Sequence, residues 1–168
     1  MTATTATRLL DLIAQHGIDA CVGGGWAVDA LFGQQTRDHA DLDLWLAAGD
    51  LEAAFRALAV EGVDRVFPWP GDRPWNFVLH DGGALRVDLH LYEPLPDGQV
   101  FYGSVVTGET LPAAALGGRG VIAGRSVGCE APEWALKWHT GYPPRESDRH
   151  DVALLCARFG LDPPDGFG

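Results

Sequence analysis

Three aspartates have the spacing of a metal-binding group. Asp41 and Asp43 are separated by one residue, and strand geometry would place both carboxylates on one face, about 6–7 Å apart. Carboxylates this close raise one another's pKa unless a cation lies nearby, and hard cations such as Mg²⁺ take carboxylate oxygens. The spacing predicts a magnesium site. The alternative is that both acids lie on a solvated strand face, because an Asp-x-Asp motif is short and common.

Asp88 is the third acid. It lies in Arg86-Val87-Asp88-Leu89-His90, where polar and apolar residues alternate in the same way. If its strand neighbours that of Asp41 and Asp43, three carboxylates converge on one surface. Such a site supports two-metal phosphoryl transfer, in which the ions hold the phosphates and activate the attacking oxygen.

A run of three glycines, 23–25, follows the apolar pair Cys21-Val22 and precedes a helical pattern over 26–32. A turn between a strand and a helix lets backbone N–H groups and the helix N-terminus meet a phosphate. The run matches neither the P-loop nor the dinucleotide-binding motif. A tight turn that serves only packing is the alternative.

Hydrophobic spacing predicts the elements that position these residues. Helices are expected at 4–16, 26–32, 50–60, 132–138 and 146–159, strands at 21–22, 41–46 and 99–102, and hairpins at 76–91 and 119–129, before a loose tail. This order predicts an α/β (α+β) fold, a mixed β-sheet flanked by helices. The length of 168 residues suits a single domain, with a core of about 4–130 and a C-terminal helical segment of about 131–160.

Charge and composition limit the partners. The net charge of -11 argues against a general nucleic-acid binder and is compatible with a cationic small molecule or with bound metal ions. Cys21, Cys129 and Cys156 form no CxxC pair, which indicates free thiols in a reducing compartment. Neither a signal peptide nor an apolar run long enough for a bilayer is present, so we expect a cytoplasmic protein without a membrane partner.

A longer motif surrounds the first two acids. It consists of GGWAVD at 24–29, then Gly33, Thr36-Arg37, His39 and Asp41-Leu42-Asp43. It resembles the antibiotic nucleotidyltransferases of the DNA polymerase β-like superfamily, above all small lincosamide nucleotidyltransferases and aminoglycoside 2''-adenylyltransferases. RVDLH at 86–90 resembles the strand with that family's third acid, and 137–156 is similar to its C-terminal helical segment. Superfamily members commonly have Gly-Ser where this chain has Gly25-Trp26, which leaves the phosphate contact to backbone N–H groups.

The resemblance implies a polymerase β-like nucleotidyltransferase fold, ATP as co-substrate and two Mg²⁺ ions. Asp41 and Asp43 would hold both ions, and Asp88 would bind one ion and act as general base on the acceptor hydroxyl. The resemblance further implies that Gly24 and Gly25 approach the phosphates and that Arg37 and Lys137 neutralise the charge of the triphosphate. His39 would orient the first acid; the alternative is that this histidine has a packing or capping role.

The acceptor stays open at this stage. A polycationic aminoglycoside would be attracted to the acidic chain. A lincosamide has one amine and an apolar side, which could pack against some of the six tryptophans, among them Trp69, Trp75 and Trp138. The alternative is that these tryptophans form the core. Acids outside the triad that could meet a cationic acceptor are Glu93, Glu130, Glu133, Glu146 and Asp148. Alternatives are another hydroxylated metabolite, an antitoxin that modifies or binds a protein, and a binding module with a dead site. A homodimer could complete the pocket.

Overall fold

The computed structural model describes residues 1–67 and 75–167. The helices are α1 (Ala3–Gln15), α2 (Gly24–Phe32), α3 (Leu51–Ala59), α4 (Pro132–Trp138) and α5 (Glu146–Phe159), with 3-10 turns at Ala48–Asp50 and Ala113–Leu116. The strands are β1 (Cys21–Val22), β2 (Leu42–Ala47), β3 (Arg65–Phe67), β4 (Asn76–His80), β5 (Arg86–Pro94), β6 (Gln99–Tyr102), β7 (Glu109–Pro112), β8 (Gly118–Ile122) and β9 (Arg125–Cys129). Across the described ranges, every helix is too short or too polar to cross a membrane.

One mixed sheet joins the strands in the order β3-β4-β5-β2-β1-β9-β8. The contact that matters most for the site is the parallel pairing of β2 with β5, which places Asp43 opposite Asp88. β1 runs parallel to β9 and antiparallel to β2. The hairpin of β6 and β7 leaves the main path and continues from the end of β5. Residues far apart in the sequence therefore meet at the centre of the sheet.

The central strands have two chemically different faces, because side chains alternate along a strand. Leu42, Leu44 and Leu46 of β2 are fully buried and pack with α1 and α3 in the main hydrophobic core. The opposite face of the same strand bears Asp43 and Trp45. A second core lies between α2, α4 and α5, around Val28, Leu136, Val152 and Leu155. The polar face of the sheet is thus left as the floor of a cleft beneath the C-terminal helices.

The predicted α/β architecture is confirmed, and the differences are local. α2 begins at Gly24 rather than near Trp26, so two glycines belong to its first turn. β3 and β7 were not predicted, because their three and four residues are too short for a clear alternation. The tail was expected to be loose, yet Phe167 packs against the second core and Arg149 donates a hydrogen bond to the carbonyl oxygen of Gly166.

Candidate active site

Asp43 and Asp88 face the cleft side by side from neighbouring strands. They are directly paired in the parallel register of β2 and β5, and both side chains are half-buried. Asp41 immediately precedes β2 and also lines the cleft, and its carbonyl oxygen accepts a hydrogen bond from Nε1 of Trp26 at 3.0 Å. The structure thus brings the three predicted acids to one surface, with Asp43 and Asp88 in the closest relation.

The surroundings of Asp88 and Asp41 raise the pKa of both carboxyl groups. The pKa of Asp88 is raised to about 6, chiefly by burial and also by the charges of Asp43 and Asp41, against the opposing effects of His90 and a hydrogen bond from Asn76. Burial and the charge of Asp43 also raise the pKa of Asp41. Carboxylates crowded in this way gain most when a cation binds between them. The donor set therefore fits a hard divalent ion.

His90 is a site residue that the sequence motif did not single out. Its ligand atoms and those of Asp43 and Asp88 all lie within 4.8 Å of one another, and its Nε2 lies 3.4 Å from Oδ1 of Asp43. Asn76 bridges Asp88 and His90, because its Nδ2 donates to Oδ1 of Asp88 at 3.0 Å and lies 2.9 Å from Nδ1 of His90. The alternation of β5 already placed His90 on the face of Asp88, so this proximity could have been predicted.

Each of the three glycines makes room for a different functional side chain. A Cβ atom on Gly23 would lie 2.8 Å from Oε1 of Glu130, and one on Gly24 would lie 2.8 Å from Cγ of Asp43. A Cβ atom on Gly25 would meet Arg37 and would lie 2.8 Å from Cε1 of His39. Real Cβ atoms do not approach other atoms this closely. The run is therefore explained by close approach, and Gly24 also has a φ of +57°.

The cleft has the size of a ligand site. Its volume is about 920 Å³, and its lining includes Gly24, Gly25 and the three acids. The first N–H groups of a helix have no partner within the helix, and the first turn of α2 opens onto this cleft beside Asp43. The arrangement combines carboxylates suited to a metal ion with a helix N-terminus suited to a phosphate.

The predicted cations differ in their positions. Arg37 lines the cleft, but its Nε and Nη2 donate to the buried carboxylate of Asp151 at 2.9 and 2.6 Å. Lys137 is directed elsewhere, with its Nζ 3.3 Å from Glu109 and 4.4 Å from the centre of the Trp134 ring. Arg145, which the sequence did not single out, lines the cleft with a side chain that is 72% exposed while its Nε and Nη2 bind Asp148.

His39 is placed for packing rather than for contact with an acid of the cleft. It is buried, its Nε2 lies 2.5 Å from Oδ2 of Asp29, and its ring stacks against Trp26 at 4.2 Å between ring centres. Asp29 also accepts hydrogen bonds from the backbone N–H and the hydroxyl of Thr36. These contacts hold the segment between α2 and β2 in place, and they fix the position from which Asp41 enters the cleft.

Aromatic rings form part of the wall of the cleft. Trp45 lies 4.8 Å from His90, 4.7 Å from Tyr102 and 4.6 Å from Trp138, measured between ring centres. Trp75 packs against the main core instead, and Trp69 lies outside the described residues. Trp45 is 3% exposed, and together with the half-buried Trp138 and Tyr102 it forms an aromatic wall beside the acids.

Comparison with known proteins agrees with the motif. The model of the aminoglycoside-2''-adenylyltransferase family matches residues 6–155. A 2''-aminoglycoside nucleotidyltransferase from Escherichia coli is 30% identical over 171 residues, which covers 95% of this chain and 88% of the relative. A lincosamide resistance protein from Staphylococcus haemolyticus is 25% identical over 147 residues, which covers 88% of this chain and 89% of the relative.

Solved structures show the same fold. The lincomycin-bound lincosamide antibiotic adenylyltransferase LnuA superposes with a TM-score of 0.75 at 24% identity, covering 87% of this chain and 90% of that one. ANT(2'')-Ia in complex with adenylyl-2''-tobramycin superposes with a TM-score of 0.70 at 23% identity, covering 94% of this chain and 89% of that one. The resemblance and the fold class expected from the sequence are both confirmed. The chain is a nucleotidyltransferase and belongs to the aminoglycoside-2''-adenylyltransferase family.

Proposed function

We propose that this protein transfers AMP from ATP to a hydroxyl group of a lincosamide or an aminoglycoside antibiotic, depends on Mg²⁺ and releases pyrophosphate. The observation that carries the proposal is the pairing of Asp43 with Asp88 beside the first turn of α2. That arrangement places a carboxylate pair and backbone N–H donors at one end of a cleft of about 920 Å³. The family relatives act on, or are bound to, antibiotics of these two classes.

Asp41, Asp43 and Asp88 are the residues that would hold two Mg²⁺ ions. When bound, the ions supply charge stabilisation for the reacting phosphate and the departing pyrophosphate. Asp88 has the further role of general base, because Asn76 occupies its Oδ1 and leaves Oδ2 for the acceptor hydroxyl. The hydroxyl oxygen forms a bond to the α-phosphorus, the bond between the α-phosphorus and the bridging oxygen breaks, and the hydroxyl proton passes to Asp88.

The triphosphate is placed by the first turn of α2 and by arginine. Gly24 and Gly25 line the cleft at the N-terminus of α2, where free backbone N–H groups and the positive end of the helix dipole favour an anion. Arg145 extends over the cleft and is the best-placed exposed cation. Arg37 contributes positive charge from a fixed position, since Asp151 holds its guanidinium. Lys137 contributes least, because Glu109 and Trp134 hold it outside the cleft.

A panel of hydroxylated compounds tests the proposal directly. Lincomycin, tobramycin and other antibiotics of both classes are incubated with enzyme, ATP and Mg²⁺, and the products are analysed by mass spectrometry. We expect one AMP adduct on at least one compound, with an equal amount of pyrophosphate, and no adduct when Mg²⁺ is chelated. ATP turnover without an adduct on any antibiotic would contradict the acceptor class and would favour another hydroxylated metabolite or a protein acceptor.

A further inference from the structure

Glu130 is buried in the wall of the cleft with half of its carboxylate unsatisfied. The residue is 2% exposed and follows directly after β9. Its Oε1 accepts a hydrogen bond from Nε1 of Trp45 at 2.7 Å. Its Oε2 is the one buried side-chain oxygen or nitrogen, within residues 1–67 and 75–167, that has no hydrogen-bond partner.

An oxygen left in this state costs free energy, because burial removes its contacts with water and nothing in the protein replaces them. The fold nevertheless holds the side chain in place. Gly23 leaves room for it, since a Cβ atom there would lie 2.8 Å from Oε1 of Glu130 and 2.9 Å from Nε1 of Trp45. A carboxylate that is costly, fixed and part of the lining of a ligand cleft is typical of a binding residue.

We propose that Glu130 binds an ammonium group of the acceptor through Oε2. This inference rests on the proposed function and names the chemistry by which its acceptor is selected. The amine would lie beside the rings of Trp45 and Trp138. Trp45 follows Asp43 on the same face of β2, so this position is one strand repeat, about 6–7 Å, from Asp43. The structure thus selects an amino alcohol whose amine lies next to apolar surface and a few ångströms from the modified hydroxyl.

The other acids considered for this role are less suitable. Asp148 lines the cleft, but both of its oxygens accept hydrogen bonds from Arg145 and Tyr142. Glu93 and Glu133 are exposed to solvent and lie outside the lining of the cleft. Glu146 is exposed as well, so of the five acids considered only Glu130 combines a place in the wall of the cleft with a buried oxygen that has no hydrogen-bond partner.

The charges around Glu130 come from β2, from β5 and from the residue after α4. Its pKa is raised to about 7, chiefly by burial and also by Asp43 of β2, against the opposing effects of the hydrogen bond from Trp45, of His90 on β5 and of His139, which follows α4. Without a ligand the side chain is therefore partly protonated near neutral pH. A bound ammonium stabilises the ionised form, so binding should release a proton from Glu130.

Calorimetric titration tests the proposal with lincomycin and tobramycin as probes, in the presence of Mg²⁺ and a non-hydrolysable ATP analogue. Glu130→Gln should weaken binding of the amine probe about 10- to 100-fold, because it removes a charged hydrogen bond from a buried site. The matched control Glu133→Gln, an exposed residue of α4, should bind within about 2-fold of the wild type. Thermal unfolding checks that both variants are folded.

Proton release gives a second measurement, which reports the ionisation of Glu130 rather than the affinity. At pH 6.5, binding heats measured in buffers of different ionisation enthalpy should show more proton release from the wild type than from Glu130→Gln. Equal affinities and equal proton release would overturn the proposal, as would a wild type that binds neither probe. AMP adducts formed equally well by both enzymes would refute the role of Glu130 and leave the proposed function intact, whereas absence of any adduct from the wild type would reject the function itself.

Discussion

Asp43 on β2 lies directly opposite Asp88 on the parallel strand β5, and Gly24 lies against the carboxylate of Asp43. This relation joins the two halves of the site. The glycine lets the first turn of α2 come within contact distance of this carboxylate, so the proposed phosphate and metal sites lie side by side. Chemistry at this point depends on the positions of a few atoms, which makes it open to test by substitution.

Asp43→Asn should abolish AMP transfer while the protein still folds. Removal of one metal-binding carboxylate loses several kcal/mol of charge stabilisation, which corresponds to a decrease in kcat of about 10³-fold or more. Asp41→Asn should have the same direction of effect. Pyrophosphate release measures the rate, and Asp97→Asn, an exposed acid in the turn before β6, is the control. Full activity in both Asp41→Asn and Asp43→Asn would exclude them as metal ligands.

Asp88→Asn should slow the transfer step more than it weakens ATP binding. The change keeps the size of the side chain and the hydrogen bond from Asn76 but removes the base, for which a loss of about 10²- to 10⁴-fold in kcat is expected. The KM for ATP should change only a few-fold. Asp81→Asn, in the turn of the same hairpin, serves as the control. Unchanged turnover in Asp88→Asn would remove it as the general base.

The alternating patterns of β2 and β5 correctly predict which residues share a face, because side-chain direction along a strand is a local property. They do not predict that the two strands are neighbours, since pairing depends on contacts distant in sequence. Arg37 meets Asp151 across 114 positions, and no local pattern indicates this. The same limit applies to two further residues. Lys137 lies in a segment similar to that of the family, but its side chain is held by Glu109. The burial of Glu130 cannot be inferred from a single acid in the sequence.

Arg145→Ala should raise the KM for ATP by about 10-fold, because it removes an exposed cation from the cleft where the triphosphate is proposed to bind. Lys137→Ala is the matched comparison and should change this KM by less than 2-fold, since its Nζ interacts with Glu109 and Trp134. Initial rates over a range of ATP concentrations give both values. A larger effect from Lys137→Ala would restore it as a phosphate-binding residue and would contradict the position seen in the structure.

Asp151→Asn should destabilise the protein and alter its response to acid. Asp151 is completely buried and binds Arg37 and His139, so its loss leaves the half-buried guanidinium of Arg37 without its counter-charge, at a cost of about 3 kcal/mol at pH 7. Burial would raise the pKa of Asp151, but the hydrogen bonds from Arg37 and His139 outweigh this and lower it.

A carboxyl whose pKa is lowered by folding stabilises the protein above its unfolded pKa, about 3.9, and this contribution is lost as the pH falls through the folded pKa. The wild type should therefore lose more stability than Asp151→Asn between pH 5 and pH 3. Urea unfolding at several pH values measures the difference, with the exposed Asp162→Asn as control. Parallel stability curves for wild type and Asp151→Asn would show that this contact does not contribute.

Gly24→Ala and Gly33→Ala separate backbone strain from damage to the site. The two glycines lie at opposite ends of α2 with φ angles of +57° and +76°, so alanine is strained at both, by about 1–2 kcal/mol. A Cβ atom on Gly33 meets nothing within 4 Å, whereas one on Gly24 displaces the carboxylate of Asp43. We expect similar losses of stability from the two variants but a decrease in kcat of about 10²-fold only in Gly24→Ala, because a small displacement of a metal-binding group misplaces the reacting atoms. Urea unfolding and pyrophosphate release measure the two effects separately, and equal activity in both variants would show that Gly24 serves the turn alone.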